Sequence, residues 1–198
     1  METLDQKSNL QAPQRTDRDH VKVHTAIAEQ GKVHQLKGEY KLAQQYYRHA
    51  MQMAMQSEES HVYLNHYLEC LLECLEMDGQ YQAIIDYCEK MIGRGKLIAS
   101  KDFEMESLAK LYLRKGIIQL KMGSMQAGIE ALNDALTLIA ETKKPLELAQ
   151  TLIFLHDSGL KLNVKRILAE QKRTNYFVVT EEKTRKEIAM ELPKGSLA

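Results

Sequence analysis

The sequence predicts an all-α protein built as a solenoid of helical hairpins. Three observations predict it. Only three prolines and ten glycines occur in 198 residues, so long helices can run uninterrupted. β-branched residues are sparse, with one clear cluster at Val178, Val179 and Thr180, whereas an all-β fold needs many such runs. Apolar residues recur at helical spacing, and Gly38, Gly79, Gly123 and Gly159 punctuate the pattern at separations of 41, 44 and 36 residues. That near-regular interval is the mark of a repeating two-helix unit.

The elements follow in chain order. Residues 1–16 are polar, contain Pro13, and read as a flexible arm. Thr16, Asp17, Arg18 and Asp19 have the spacing of a capping box, in which a hydroxyl caps free amides and a carboxylate follows three residues on. The helical repeat domain spans 17–173, as units of about 17–56, 60–93, 102–141 and 145–173. Their internal turns fall at Gly38, Gly79, Gly123 and Gly159, because glycine tolerates the positive φ of a tight helix–helix turn. Pro145 suits a helix start, where a missing N–H costs nothing. The C-terminal tail, 174–198, opens on an apolar cluster at Tyr176, Phe177 and Val178 and then becomes charged. Too short for a core of its own, it either folds back to cap the last repeat or docks on a partner.

Composition excludes several function classes. Lys plus Arg number 27 and Asp plus Glu number 27, so the chain lacks the positive charge that phosphate contacts require, and nucleic acid is not an expected partner. No stretch approaches the roughly 18 apolar residues that span a bilayer, and the N-terminus lacks the apolar core of a signal peptide. A cytoplasmic protein without membrane insertion is the expectation. Cys70, Cys74 and Cys88 are an odd number, which disfavours a disulfide framework.

Between Gly31 and Ala50 the chain carries Gly31, Gly38, Tyr40, Ala43, Tyr47 and Ala50 in the order G-x6-G-x-Y-x2-A-x3-Y-x2-A. This run resembles the tetratricopeptide repeat signature. Small residues at Gly31 and Ala43 would let the two helices of a hairpin approach, with Tyr47 and Ala50 filling the groove against the next hairpin. Gly79 and Tyr81 match the same frame in the second unit, and Gly116, Gly123 and Ala135 in the third. The first unit is the closest match and the fourth the most degenerate. The intervals exceed the usual repeat of about 34 residues, so the resemblance is to a long-repeat variant.

In that family, the first helices of the hairpins line a concave binding groove. Carried over residue by residue, the resemblance places there Lys32 and Gln35, then His66, Glu69, Glu73 and Glu76, then Leu113, Ile117 and Leu120, and Ile153 in the last unit. Glu69, Glu73 and Glu76 share one helix face by their spacing. An acidic stretch beside an apolar one would suit a peptide or helix with basic and apolar residues. A charge stripe is more often a solvated face, and a leucine stripe more often core. The lysine and asparagine clamp that some relatives use for a terminal carboxylate is missing, which disfavours docking of heat-shock-protein tails.

The residues specify no catalytic constellation, no cofactor and no metal. His66, Cys70 and Cys74 share a helix face but lack the spacing of a four-ligand zinc site, so packing is the better account. Gly93, Arg94, Gly95 and Lys96 lack the phosphate-loop spacing and read as a helix end. Met51, Met53 and Met55 alternate, so they cannot share one helical face. The expected function is a protein–protein interaction module, not an enzyme, acting as adaptor, scaffold or dedicated chaperone. The alternative is a signalling regulator that senses a peptide or controls a partner through its repeats. Self-association through the C-terminal unit or tail is a further expectation, because an open array leaves an apolar end.

Overall fold

A computed structural model describes residues 17–56, 60–95, 102–140 and 145–192. The arm at 1–16, the Thr16 cap, Lys96 and the tail beyond residue 192 lie outside the described residues. Among those described there are eight α-helices, a short 3-10 turn at Lys186–Ile188 and no strand. Helices α1 (Asp17–Leu36) and α2 (Tyr40–Ala54) form the first hairpin, and α3 (Ser60–Met77) and α4 (Tyr81–Gly95) the second. Helices α5 (Asp102–Lys121) and α6 (Met125–Leu138) form the third, followed by α7 (Glu147–Asp157) and α8 (Val164–Arg173). The fold is the all-α hairpin solenoid that the sequence predicts. The cluster Val178–Thr180 joins no sheet; it belongs to the irregular tail.

One device closes all four turns. Gly38, Gly79, Gly123 and Gly159 have φ of 80°, 75°, 86° and 74°. The residue after each returns its amide to a carbonyl five residues back: Glu39 to His34, Gln80 to Leu75, Ser124 to Gln119 and Leu160 to Leu155. This is the Schellman closure, which satisfies carbonyls orphaned at a helix end. It recurs after α8 with asparagine in the glycine position, where Asn175 has φ 51° and Tyr176 donates to Gln171. Asparagine is the other residue that reaches this conformation readily. The closure therefore also sets where the tail leaves α8.

Within a hairpin, contact is closest where a side chain is missing. A Cβ at Gly31 would sit 2.8 Å from the Tyr47 ring. Tyr47 is fully buried, and its hydroxyl donates to Gln35 Oε1 at 2.7 Å. In the third hairpin two glycines face each other: a Cβ at Gly116 would lie 2.9 Å from the Gly128 carbonyl oxygen, and one at Gly128 2.7 Å from Leu120. Ala43, Ala50 and Ala135 are completely buried, while Tyr40 and Tyr81 pack partly buried against the main core.

The apolar interior divides in two. The larger cluster runs through all four helix pairs and includes Cys70, Cys74, Cys88, Leu113, Ile117, Leu120, Leu152 and Ile167. The smaller one gathers Ile27, Ala28, Tyr46, Ala50, Ala54 and Tyr67 around the first hairpin. Met51 touches both clusters, Met53 only the smaller, and Met55 is exposed.

The fourth pair departs from the others. After α7 the chain runs through an irregular stretch, in which Leu162 is buried, and α8 then packs against both α7 and α5. Gln171 of α8 reaches as far as Glu76 of α3. The last helix thus lies over first helices of earlier hairpins, and Asn163 caps it by accepting from the Arg166 amide at 2.9 Å.

Gly116→Ala should destabilise the protein by about 1–3 kcal/mol, because its Cβ meets a backbone carbonyl that no rotamer change can move. Gly93→Ala, a helical position with nothing within 4 Å of the new Cβ, should be neutral or gain up to about 1 kcal/mol. Urea unfolding of the two variants checks both.

Candidate functional site

Ionisable residues of α3 and α5 are paired across the two helices. Arg114 of α5 donates to Glu69 of α3 at 2.6 Å, and Lys121 of α5 donates to Glu76 of α3 at 2.5 Å. Both pairs are 45 residues apart, so the two helices lie in register. The same offset from Glu73 falls on Ile118, which has no charge to offer. Glu73 therefore has no counterpart at that offset, and Arg114 acts on it only through space.

The tail supplies what Glu73 lacks. Val178 and Val179 both donate their backbone amides to it, Val179 at 3.1 Å and Val178 more closely. From there the tail crosses to the first hairpin. The Arg185 amide donates to Glu29 Oε2 of α1 at 2.8 Å, and the Arg185 guanidinium lies 3.6 Å from the same carboxylate. The Met190 amide donates to the Ala26 carbonyl at 3.1 Å. At the other end, Tyr176 lies against Arg114, with its hydroxyl 3.3 Å from Arg114 Nε. Val179 enters the larger core and Leu192 the smaller one. Residues 176–192 thus occupy the face formed by α1, α3 and α5.

Burial shapes the chemistry of this face. It pushes the Glu73 carboxyl up to about 7, against the two tail amides and Arg114, which favour the charged form. Burial pushes the Lys121 ammonium down, opposed by Glu76. It also works against the charge on Arg114, yet Tyr176, Glu69 and Glu76 outweigh it and raise that pKa. All three cysteines are buried thiols with raised pKa, Cys88 to about 11 and Cys74 to about 12, in each case chiefly by burial. Cys74 donates to the Tyr40 carbonyl, and Cys70 lies 3.8 Å from His66 Nε2. No group of three or more His, Cys, Asp or Glu side chains among the described residues is placed to hold a metal ion.

The residues singled out by resemblance divide by place. Glu69, Glu73 and Glu76 lie on this face, but as members of a paired layer and not as a bare acidic stripe. Lys32 is buried and bound to Glu29 at 2.9 Å. Gln35 holds Tyr47 inside its own hairpin. His66 is exposed at the edge. Leu113, Ile117 and Leu120 are buried in the core, and Ile153 packs against it partly buried. Glu29, Arg114 and Lys121 carry no role in the sequence-level frame, and the tail, expected to cap the last repeat or dock on a partner, instead crosses to α3 and α1. Arg114 and Lys121 share one face at i and i+7, and each stands 45 residues beyond a glutamate of like spacing, a signal that was available in the sequence.

A family model for the tetratricopeptide repeat matches residues 109–142. It falls on the third hairpin, where Gly116 and Gly128 bring α5 and α6 into their closest contact. Neither a curated protein nor a solved structure matches the chain. Repeats of the matched family are typically non-catalytic and generally bind other proteins. No helix among the described residues is long and apolar enough to cross a membrane.

Two measurements follow from the buried charges. Lys121→Met should cost about 3–5 kcal/mol by stranding Glu76, and adding Glu76→Leu should restore much of it, which a double-mutant cycle in urea reads directly. The folded-state pKa of Glu73 lies above its unfolded value, so its contribution to stability is full below about pH 4.5 and lost as pH rises through about 7. Stability measured from pH 4 to 8 should fall over that window, and Glu73→Gln should flatten the fall.

Proposed function

We propose that this chain, a tetratricopeptide-repeat protein, is a protein–protein interaction module that holds a segment of another protein along the face of α1, α3 and α5, as an adaptor, scaffold or dedicated chaperone. The observation that carries this reading is the tail on Glu73: two consecutive backbone amides, Val178 and Val179, donate to one carboxylate. A carboxylate that takes main-chain amides accepts many sequences, and side-chain pockets along the same path then select among them. The face thus already holds a non-helical peptide segment, in the same chain. Its bound segment is apolar at Val179 and Leu192 and basic at Arg185, where it meets Glu29. The partner takes this place when the tail leaves it.

A second reading is favoured by the same occupancy. A groove filled by its own tail binds a partner with an affinity lowered by the fraction of time the tail is seated. Anything that releases the tail then raises binding, which makes the module a signalling regulator of its partner.

Both readings are tested by affinity capture with three versions of the full chain. Val178→Pro deletes one of the two amides on Glu73 and should increase recovery of a stoichiometric partner several-fold over the unsubstituted chain. Glu73→Gln, which keeps the shape but loses the charge, should reduce it. Equal recovery of the same partner by all three chains would place the binding surface elsewhere.

A further inference from the structure

The tail ends, among the described residues, on an acidic residue followed by leucine, and the first hairpin receives the two side chains separately. We propose that the first hairpin is a two-point pocket for an acidic residue followed directly by leucine, and that the partner segment which replaces the tail presents this pair. The inference rests on the functional reading above and specifies its ligand.

The polar point is made of buried donors. Gln30 Nε2 donates to Glu191 Oε1 at 2.6 Å, and the Tyr46 hydroxyl donates to Oε2. His34 Nε2 lies 4.0 Å from the same carboxylate, 3.2 Å from Gln30 Nε2, while its Nδ1 faces Glu39 at 2.5 Å. With Gln30 as the donor, His34 Nε2 accepts and the proton sits on Nδ1 toward Glu39. Tyr46 and Gln30 are 1% and 9% exposed, so the two donors are fixed in the hairpin, with the buried His34 ring behind Gln30. The Glu191 side chain stays largely in water, as suits a group delivered from solution. A carboxylate satisfies two converging donors with two oxygens, whereas an amide has one oxygen to give.

The apolar point is the smaller core of the first hairpin. Leu192, 8% exposed, joins the cluster of Ile27, Ala28, Tyr46, Ala50, Ala54 and Tyr67. This cluster is distinct from the larger core, so the leucine can leave without opening the interior of the array.

Tyr46 sets the order of the two residues. Its hydroxyl donates to the Glu191 carboxylate and also accepts the Leu192 amide at 3.3 Å. One atom therefore reads the acidic side chain and the backbone of the next residue. The Met190 amide, bonded to the Ala26 carbonyl, fixes the strand direction one residue earlier.

The test uses the full chain carrying Val178→Pro and Leu192→Asp, which deprives its own tail of one Glu73 contact and of its apolar anchor. A synthetic peptide of residues 186–192 is titrated into the isotope-labelled protein and followed by NMR. Saturable shifts at Ala28, Tyr46 and Ala50 are expected, weakened about tenfold or more when the peptide carries Glu191→Gln or Leu192→Ser. Equal affinity for all three peptides, or none, overturns the pocket. A peptide of residues 176–183 that still binds at Glu73 would then leave the functional reading standing, whereas failure of both peptides removes both. A wild-type dimer that dissociates on Leu192→Asp would assign the pocket to a second copy's tail and overturn the partner assignment. Should the double variant not fold, hydrogen exchange of the otherwise unsubstituted chain gives the answer. Glu191→Gln is expected to speed exchange at the Leu192 amide about tenfold, and unchanged exchange overturns the proposal.

Discussion

The charge layer between α3 and α5 governs the rest of this structure. Glu69 and Glu76 each meet a cation 45 residues on, and both Glu76 and Lys121 are almost wholly withdrawn from water. A buried pair adds little net stability but penalises any misalignment heavily, since either partner left alone is an uncompensated charge in a medium of low dielectric. The two helices are thus held in one register. At the same offset from Glu73 stands the uncharged Ile118, and a buried carboxylate without an ion pair at that offset requires hydrogen bonds from elsewhere. The tail amides meet that need. Pairing two of three glutamates prepares the third to bind a peptide backbone.

Close helix approach makes this layer possible. Gly31 makes room for the Tyr47 ring, and Gly116 opposite Gly128 lets α5 and α6 come together to backbone contact. The first helices then turn their remaining side away from the hairpin, where their polar residues lie. The matched repeat coincides with the facing glycine pair. The first hairpin uses its tyrosines differently: Tyr47 packs into its own hairpin, while Tyr46 reaches the tail.

The end of the array is handled by folding back. A terminal repeat has no neighbour to cover its outer side. Here α8 lies against α5, Gln171 joins the Glu76–Lys121 pair, and the turn at Asn175 sends the chain toward α3 and α1. The tail gives one buried apolar side chain to each core, Val179 to the larger, where Tyr176 and Val178 also pack partly buried, and Leu192 to the smaller. Full burial of such a side chain contributes about 1.5–3 kcal/mol, so each anchor matters while neither locks the tail by itself.

Local chemistry made the helices and turns legible in the sequence. A glycine at the end of an apolar period has a backbone consequence that needs no distant partner, and all four turn glycines adopt it. The stripe Glu69, Glu73 and Glu76 was also legible, because residues four and three apart must share a helix face. Which face of α5 meets that stripe was not. Successive residues on a helix point about 100° apart, so assigning Leu113 and Leu120 to the groove, and not their neighbours Arg114 and Lys121, turns the helix by more than a quarter of a turn. The leucines belong to the core and the cations to the face. The destination of the tail lay further beyond reach, since its contacts join residues 62 to 164 positions apart. Sequence alone determined that the chain is helical and where the four glycine turns fall, because those choices rest on neighbours along the chain. Only the tertiary structure decided what lies in the groove, because that choice rests on buried charges whose partners are brought together by folding.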